Sequence, residues 1–217
     1  MKRRRVILVS QIILFLAVTC SAQQKPTDVA SSFLSPGTRL AELERFDPNT
    51  GKPTQAVSAV ITGHFISPDS NDIVFAQVNM SQDPRAKSLF ITVLHKLPSG
   101  YTNVFEKSYY QRYLWVQDFT TVGLKVLRLP GELIDSILIS TARGASLGAQ
   151  TELYHWVDGL GMVNVMPSHP PAHQVSFILG NNQFTLKLTF QKYPGEKGVP
   201  HPISYRWDGH KLARADG

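Results

Sequence analysis

The chain has 217 residues, of which 42% are hydrophobic and 18% charged, with one cysteine and a formal net charge of +6. This length and composition are those of a globular protein that buries a substantial core. Without Lys2, Arg3, Arg4 and Arg5, the 22 Lys and Arg residues fall to 18 against 16 Asp and Glu, a net charge of about +2. The charge therefore indicates no nucleic-acid partner.

Residues 1–22 have the order of a secretory signal peptide. The basic residues precede an apolar run at 6–18, which is too short for a comfortable transmembrane helix, and small residues follow. Cleavage after Ala22 would give a secreted or periplasmic chain without cysteine and therefore without a disulfide. The alternative is a lipoprotein signal with a lipidated Cys20, for which Thr19 is a poor preceding residue. An uncleaved signal or this lipid would be the chain's membrane attachment.

Residues 23–55 are interpreted as a leader with a short helix. The polar stretch 23–36, rich in Pro, Thr and Ser, predicts a flexible segment. The stretch TRLAELERF at 38–46 predicts a short amphipathic helix, which the turn residues DPNTGKP would end.

Residues 56–217 predict an all-β domain of three four-stranded antiparallel meanders, in units of about 56–115, 120–166 and 174–214. The twelve predicted strands are AVSAVIT, DIVFAQV, LFITVLHK, NVFEKSYY, GLKVLRL, SILIST, ELYHWV, MVNVM, QVSFIL, FTLKLTF, ISYRW and HKLARA. A repeat of this size predicts propeller-like blades, with a β-sandwich or barrel as the alternative. Since propellers usually have at least four blades, three units also leave self-association open.

Two of the units end in similar hairpins, YHWVDGLGMV and YRWDGHKL. Asp158-Gly159 and Asp208-Gly209 are predicted turns, because Gly adopts the positive φ that such turns require. Trp156 and Trp207 are expected to provide large apolar surfaces for packing one unit on another. His95 and His155 fall at matching places in two third strands, which indicates a repeated structural role.

The stretch GHFISPDSNDIVFA at 63–76 resembles the FG-GAP or VCBS type of repeat, the integrin-like propeller blade whose pattern is GDFNGDGxxDIVVA. The matching residues are Gly63, Phe65, Asp72, Ile73, Val74 and Ala76. In that family the acidic residues of the loop bind calcium. Here His64, Ile66 and Pro68 stand at the first three ligand positions, so the metal function is expected to be lost, and no cofactor is predicted.

Short motifs give an alternative interpretation as an exported serine or metal-dependent hydrolase. GASLG at 144–148 matches GxSxG, but the segment after Ser146 is typical of a strand, whereas the motif needs a helix in a βαβ setting. His169 and His173 are four residues apart, a useful spacing on a helix, which the intervening PP excludes. His201 lies in PHP further on. We therefore expect no enzyme activity.

The densest aromatic run is SYYQRYLW, with Tyr109, Tyr110, Arg112, Tyr113 and Trp115. Such a mixture is common on surfaces that bind a protein or a glycan. The competing interpretation, which we favour, is that alternate members pack between sheets. Together these features predict an exported, non-catalytic interaction or structural module of the cell envelope or extracellular space, whose partner is a protein or a glycan.

Overall fold

The computed structural model describes residues 24–43, 57–79, 88–110, 121–142, 149–167, 174–179, 184–190 and 199–214. They include one short helix, α1 (Pro26–Ser32), and fourteen strands. The strands are β1 (Thr38–Leu40), β2 (Glu42–Leu43), β3 (Val60–Gly63), β4 (Asp72–Asn79), β5 (Ser88–Leu97), β6 (Gly100–Tyr110), β7 (Thr121–Leu127), β8 (Ser136–Ala142), β9 (Ala149–Val157), β10 (Gly161–Asn164), β11 (Gln174–Leu179), β12 (Phe184–Phe190), β13 (Val199–Trp207) and β14 (Leu212–Arg214).

Twelve of these strands form three antiparallel meanders in which neighbours in the sequence are neighbours in the sheet. Sheet 1 contains β3 to β6, sheet 2 contains β7 to β10, and sheet 3 contains β11 to β14. The all-β prediction and its twelve strands are confirmed. The sheets formed by the described strands are open, and none closes into a barrel.

Strand β4 shows why sheet 1 is covered on both faces. Its side chains alternate, so Val74 and Ala76 join a cluster shared with sheet 2, whereas Ile73 and Phe75 join a cluster on the opposite face. Helix α1 covers that second cluster, and its Ala30 is completely buried there. Sheet 1 therefore lies between α1 and sheet 2.

Strand β8 has the same alternation in sheet 2. Ile137 and Ile139 pack in the cluster shared with sheet 1, and Leu138 packs in the cluster shared with sheet 3. Trp207 and Leu212 belong to that second cluster on the sheet 3 side. The three sheets are therefore stacked face to face in chain order, because the apolar alternation of β4 and β8 gives each of those strands two buried faces.

The predicted helix at 38–46 is wrong for residues 38–43, and its last three residues lie outside the described ones. Strand β1 pairs with β4, and β2 pairs in parallel with β7, so this segment joins sheets 1 and 2. At the crossing point, Ala41 N–H donates to Ala76 O at 2.9 Å and Ala59 N–H donates to Ala41 O at 2.8 Å. A helix this short is marginal by itself, so these bonds and the burial of Ala41 and Leu43 decide the conformation.

The expected flexible leader is also corrected, because α1 lies within it. Pro26 stands in the first turn, where its missing N–H has no helical partner to lose, and Asp28 favours the same end of the helix. Val29 and Ala30 are buried against sheet 1 at 3% and 0% exposure. Contact with the sheet stabilises a helix of 7 residues that composition alone did not predict.

Candidate functional site

The loop between β3 and β4 is organised around the carboxylate of Asp72, which is completely buried. Its Oδ2 accepts hydrogen bonds from the backbone N–H groups of Phe65 and Ile66, both at 3.0 Å, and from the Ser70 hydroxyl at 2.6 Å. The loop therefore folds back on the first residue of the strand that follows it.

The other oxygen of Asp72 fastens this loop to the end of β5. Its Oδ1 accepts the backbone N–H of Lys96 at 3.2 Å and lies 2.8 Å from Nδ1 of His95. A buried carboxylate needs such donors because a charge removed from water is costly when it is unpaired. With five donors, both oxygens have their lone pairs engaged.

The residues around Asp72 do not fit calcium, the metal that the FG-GAP resemblance implies for this loop. A calcium ion takes about six to eight oxygen ligands. The oxygens of Asp72 are directed at the chain's own N–H and O–H groups, and His64 and Pro68 stand where further oxygen ligands would be needed. Among the residues that the structure describes, no group of three or more His, Cys, Asp or Glu side chains is placed to hold a metal.

Other residues of the family-like stretch have packing roles. A Cβ on Gly63 would lie 2.7 Å from Cζ of Phe65 and 3.1 Å from Oδ2 of Asp135, so only glycine fits there without displacing its neighbours. Phe65 and Ala76 are completely buried in the cluster between sheets 1 and 2. The residues that match the pattern thus build the core and close the loop.

Asp135 connects the same loop to sheet 2. Its Oδ2 accepts the backbone N–H of His64 at 2.9 Å, and its own N–H donates to His64 O at 2.7 Å. Its Oδ1 lies 3.0 Å from Nε and 2.8 Å from Nη2 of Arg128, which balances the charge. This reciprocal pair places the loop ends of sheets 1 and 2 side by side.

The matching histidines occupy equivalent positions in their sheets, as the sequence predicted. His95 lies opposite Asp72, with its Nδ1 2.8 Å from the carboxylate. His155 lies opposite Ser136, with its Nδ1 2.8 Å from the hydroxyl. The two surroundings differ, since the His95 side chain is 20% exposed with its Nδ1 on a carboxylate, whereas the His155 side chain is 4% exposed with its Nδ1 on a neutral hydroxyl.

His155 also contributes to the contact between sheets 2 and 3. Its ring and the indole of Trp207 form an edge-to-face contact, with the ring centroids 5.3 Å apart, and its Nε2 is 3.7 Å from Oε2 of Glu132. The indole N–H of Trp207 donates to the other oxygen of Glu132 at 2.9 Å. Burial lowers the pKa of His155 from its ordinary value of 6.5, and the Glu132 carboxylate opposes this shift.

Ser136, His155 and Glu132 do not form a catalytic triad. In a triad the histidine hydrogen-bonds to both the serine and the acid, and the serine oxygen is open to the substrate. Here the distance from His155 to the Glu132 carboxylate is beyond a hydrogen bond, and Ser136 is completely buried. This cluster joins two sheets.

A third polar cluster joins sheets 1 and 2. The hydroxyl of Tyr109, on β6, donates to Oε2 of Glu152, on β9, and the hydroxyl of Tyr154 reaches the same oxygen at 3.5 Å. Tyr154 also packs against Phe105, with ring centroids 5.0 Å apart. Burial, and then the charge of Glu152, raise the pKa of Tyr109 and of Tyr154. Tyr109 therefore packs between sheets, which was the favoured of its two interpretations.

The first predicted hairpin joins β9 to β10. Gly159 has φ +79°, and the indole N–H of Trp156 donates to Asp158 at 3.2 Å. Trp156 is partly buried against the core shared by sheets 1 and 2.

The second predicted hairpin joins β13 to β14. Gly209 has φ +95°, and Asp208 accepts the N–H groups of His210 and Lys211, both at 2.8 Å. These bonds, that of Lys211 first, lower the pKa of Asp208. Trp207 is buried between sheets 2 and 3.

Several residues that the sequence singled out lie outside the described ones. These are the signal at 1–22, Ser146, His169, His173, Arg112, Tyr113 and Trp115. The backbone of Tyr110 pairs with Ser88 in sheet 1, and that of His201 pairs with Leu188 in sheet 3.

Glu132, Ser136 and Glu152 belong to polar clusters that were not predicted from the sequence. For Ser136 a signal exists, because SILIS stands where DIVFA stands in the preceding unit, which places Ser136 opposite His155 as Asp72 is opposite His95. Glu132 and Glu152 carry no such signal, since their partners come from another sheet.

Comparison of the chain with protein-family models, with curated proteins and with solved structures gives no match. Within the described part of the chain, no helix has the length and apolar character needed to cross a membrane.

Proposed function

We propose that this chain is an exported, non-catalytic β-repeat module that binds another protein in the cell envelope or extracellular space. The basic, apolar and small-residue order of residues 1–22 supports export. The stacking of three meanders in chain order supports a blade-like repeat related to the FG-GAP type.

This proposal rests mainly on the acidic side chains that could take part in catalysis, because they are hydrogen-bonded to other parts of the fold. Asp72 and Asp135 bind loop backbone, Glu132 binds Trp207, and Glu152 binds a tyrosine of another sheet. Acidic groups that already accept hydrogen bonds from the chain's own donors are less available to activate a water or hold a substrate. The bonds of Asp72 close a loop within sheet 1, and those of the other three acids connect neighbouring sheets.

The exposed apolar residues favour a protein partner over a glycan. Leu133, before β8, is 73% exposed, and Leu160, between β9 and β10, is 75% exposed. These turns lie at the same end of sheet 2, and the His64–Asp135 pair places that end next to the end of sheet 1 where Leu97 of β5 is 37% exposed. Apolar side chains gathered at one end of a fold are typical of protein contacts.

The absence of catalysis is tested on the purified protein with a fluorophosphonate probe, a panel of ester, glycoside and peptide substrates, and metal analysis. We expect no labelling, no turnover and no stoichiometric metal. Labelling or turnover that disappears in Ser146→Ala would establish the serine hydrolase instead. A stoichiometric metal would revive the metal-dependent alternative.

The proposed protein contact at the end of sheet 2 that carries Leu133 and Leu160 is tested by placing a photo-crosslinking amino acid at either position in the exporting host. The control position is Phe33, which is 36% exposed after α1 and lies near the opposite end of β4. We expect a crosslinked adduct of the same mass from both positions. With the crosslinker at one leucine, changing the other leucine to Ser should abolish the adduct. Equal adducts from Phe33, or none from either leucine, would contradict a contact at this end.

A further inference from the structure

The contact between sheets 2 and 3 contains a buried imidazole next to an acid that has another partner. His155 bonds to the Ser136 hydroxyl through Nδ1 and rests against the indole of Trp207. Glu132 lies 3.7 Å from the other ring nitrogen, but it already accepts the indole N–H at 2.9 Å. In this arrangement the Ser136 hydroxyl and the indole suffice to accommodate the neutral ring, so no ion pair with the carboxylate is required.

The groups that face His155 come from three elements. Strand β8 contributes the Ser136 hydroxyl, the β7–β8 loop contributes the Glu132 carboxylate, and β13 contributes the Trp207 indole, while Val163 of β10 lies opposite in the sheet. Among the described residues, Glu132 is the charged group that acts on the ring.

The equivalent position in sheet 1 shows what is different about this contact. There the ring of His95 faces the carboxylate of Asp72 directly and is partly open to water. A positive charge on that ring would have both a counter-charge and solvent. The ring of His155 has a hydroxyl in place of the counter-charge and an indole in place of solvent.

We call the contact of His155 and Glu132 with Trp207, together with the Leu212–Val165 backbone bond, the joint between sheets 2 and 3. We propose that this joint is pH-sensitive and opens in mildly acidic medium, with the imidazole of His155 as the sensing group. When the joint opens, the ring meets water and takes up a proton at its ordinary affinity, whereas the closed joint disfavours the charged ring. Acid therefore draws the equilibrium toward the open joint. The Glu132 carboxylate compensates this charge only in part, because its nearer oxygen lies 3.7 Å from the ring nitrogen, beyond a hydrogen bond, and its other oxygen accepts the indole N–H of Trp207.

The sign and size follow from linkage. The folded pKa of His155 is lowered, so the closed joint has its full stability above the ordinary histidine pKa and loses it as the pH falls. For a ring that stays neutral when closed and titrates at about 6.5 when open, the ratio of open to closed joints rises up to about tenfold between about pH 7.5 and 5.5.

The amide of Leu212 is the reporter, because it donates to Val165 O across the joint at 3.2 Å. Its hydrogen-exchange protection, corrected for the intrinsic pH dependence, is compared with that of Ala76, whose N–H donates to Ala59 O in sheet 1 at 2.9 Å. Protection at Leu212 should fall up to about tenfold over this range while that at Ala76 stays constant. Constant protection at Leu212, or an equal loss at both amides, would overturn the proposal.

The variants His155→Gln and Glu132→Gln assign the effect to the ring, and His95→Gln is the control. His155→Gln should abolish the acid-dependent loss of protection at Leu212, and His95→Gln should leave this loss in place. Glu132→Gln can still accept the indole N–H but removes the charge that favours the imidazolium, so the loss should continue to a lower pH than in the wild type. If His155→Gln does not fold, the Glu132→Gln result decides: an unchanged pH profile at Leu212 would refute His155 as the sensor.

Discussion

Replacing Asp72 by Asn tests whether this loop is held by the chain's own donors. Asn is nearly the same size and keeps one oxygen. With that oxygen at the Oδ2 position, the bonds from Phe65, Ile66 and Ser70 survive. The amide nitrogen then faces the backbone N–H of Lys96, which loses its acceptor.

The expected cost follows from these bonds. The Lys96 N–H is only partly buried, so the loss of its acceptor costs about 1 kcal/mol, and the surviving bonds lose the strength that a charged acceptor gives them. We expect Asp72→Asn to lower the free energy of unfolding by about 2–4 kcal/mol. Asp72→Ala leaves all five donors without this acceptor and should cost about 5 kcal/mol or more, enough to unfold a marginally stable domain.

The assay is urea unfolding followed by circular dichroism, with Asp69→Asn as the control. Asp69 lies in the same loop but is exposed, so its substitution should change the free energy of unfolding by less than about 0.5 kcal/mol. Calcium or a chelator should leave the wild-type midpoint unchanged. The reasoning fails if Asp72→Asn is as stable as Asp69→Asn, or if calcium raises the wild-type midpoint.

Three further substitutions are measured by the same unfolding assay. Gly63→Ala should cost about 1–3 kcal/mol, because its Cβ would lie 2.7 Å from the ring of Phe65, and a neutral result would show that the ring moves freely. Gly159→Ala should cost about 1 kcal/mol from its positive φ alone, since nothing lies within 4 Å of the new Cβ; a gain in stability would contradict this. Tyr109→Phe should cost about 1–3 kcal/mol by removing the hydroxyl that donates to Glu152. Because the folded phenol has a raised pKa, wild-type stability should decline as the pH rises above about 10, and less steeply in Tyr109→Phe; equal slopes would count against the buried cluster.

The strands were predictable because their signal is local. Each of the twelve consists of a short run rich in β-branched and aromatic residues between turn residues, and consecutive strands within each meander pair with one another. Gly159 and Gly209 marked two of these turns by the positive φ that glycine allows. Antiparallel meanders need no information from distant parts of the chain.

The N-terminal segment was mispredicted because its conformation depends on partners far away in the sequence. The pattern of residues 38–43 suits a helix, yet Ala41 bonds to the backbone of Ala76 and Ala59. Conversely, α1 has little helical signal beyond Pro26 and Asp28, and it is stabilised by the outer face of sheet 1. Packing against the sheets outweighed the weak propensities of both segments.

The sequence by itself determined the three meanders, since alternation and turn chemistry act between near neighbours. Only the tertiary structure decided what the polar residues do. Glu132 and Glu152 acquired their partners when the sheets stacked, and His155 became a buried ring between two sheets. The physical reason is that desolvation and hydrogen bonding between sheets depend on which surfaces meet, and no local pattern specifies that.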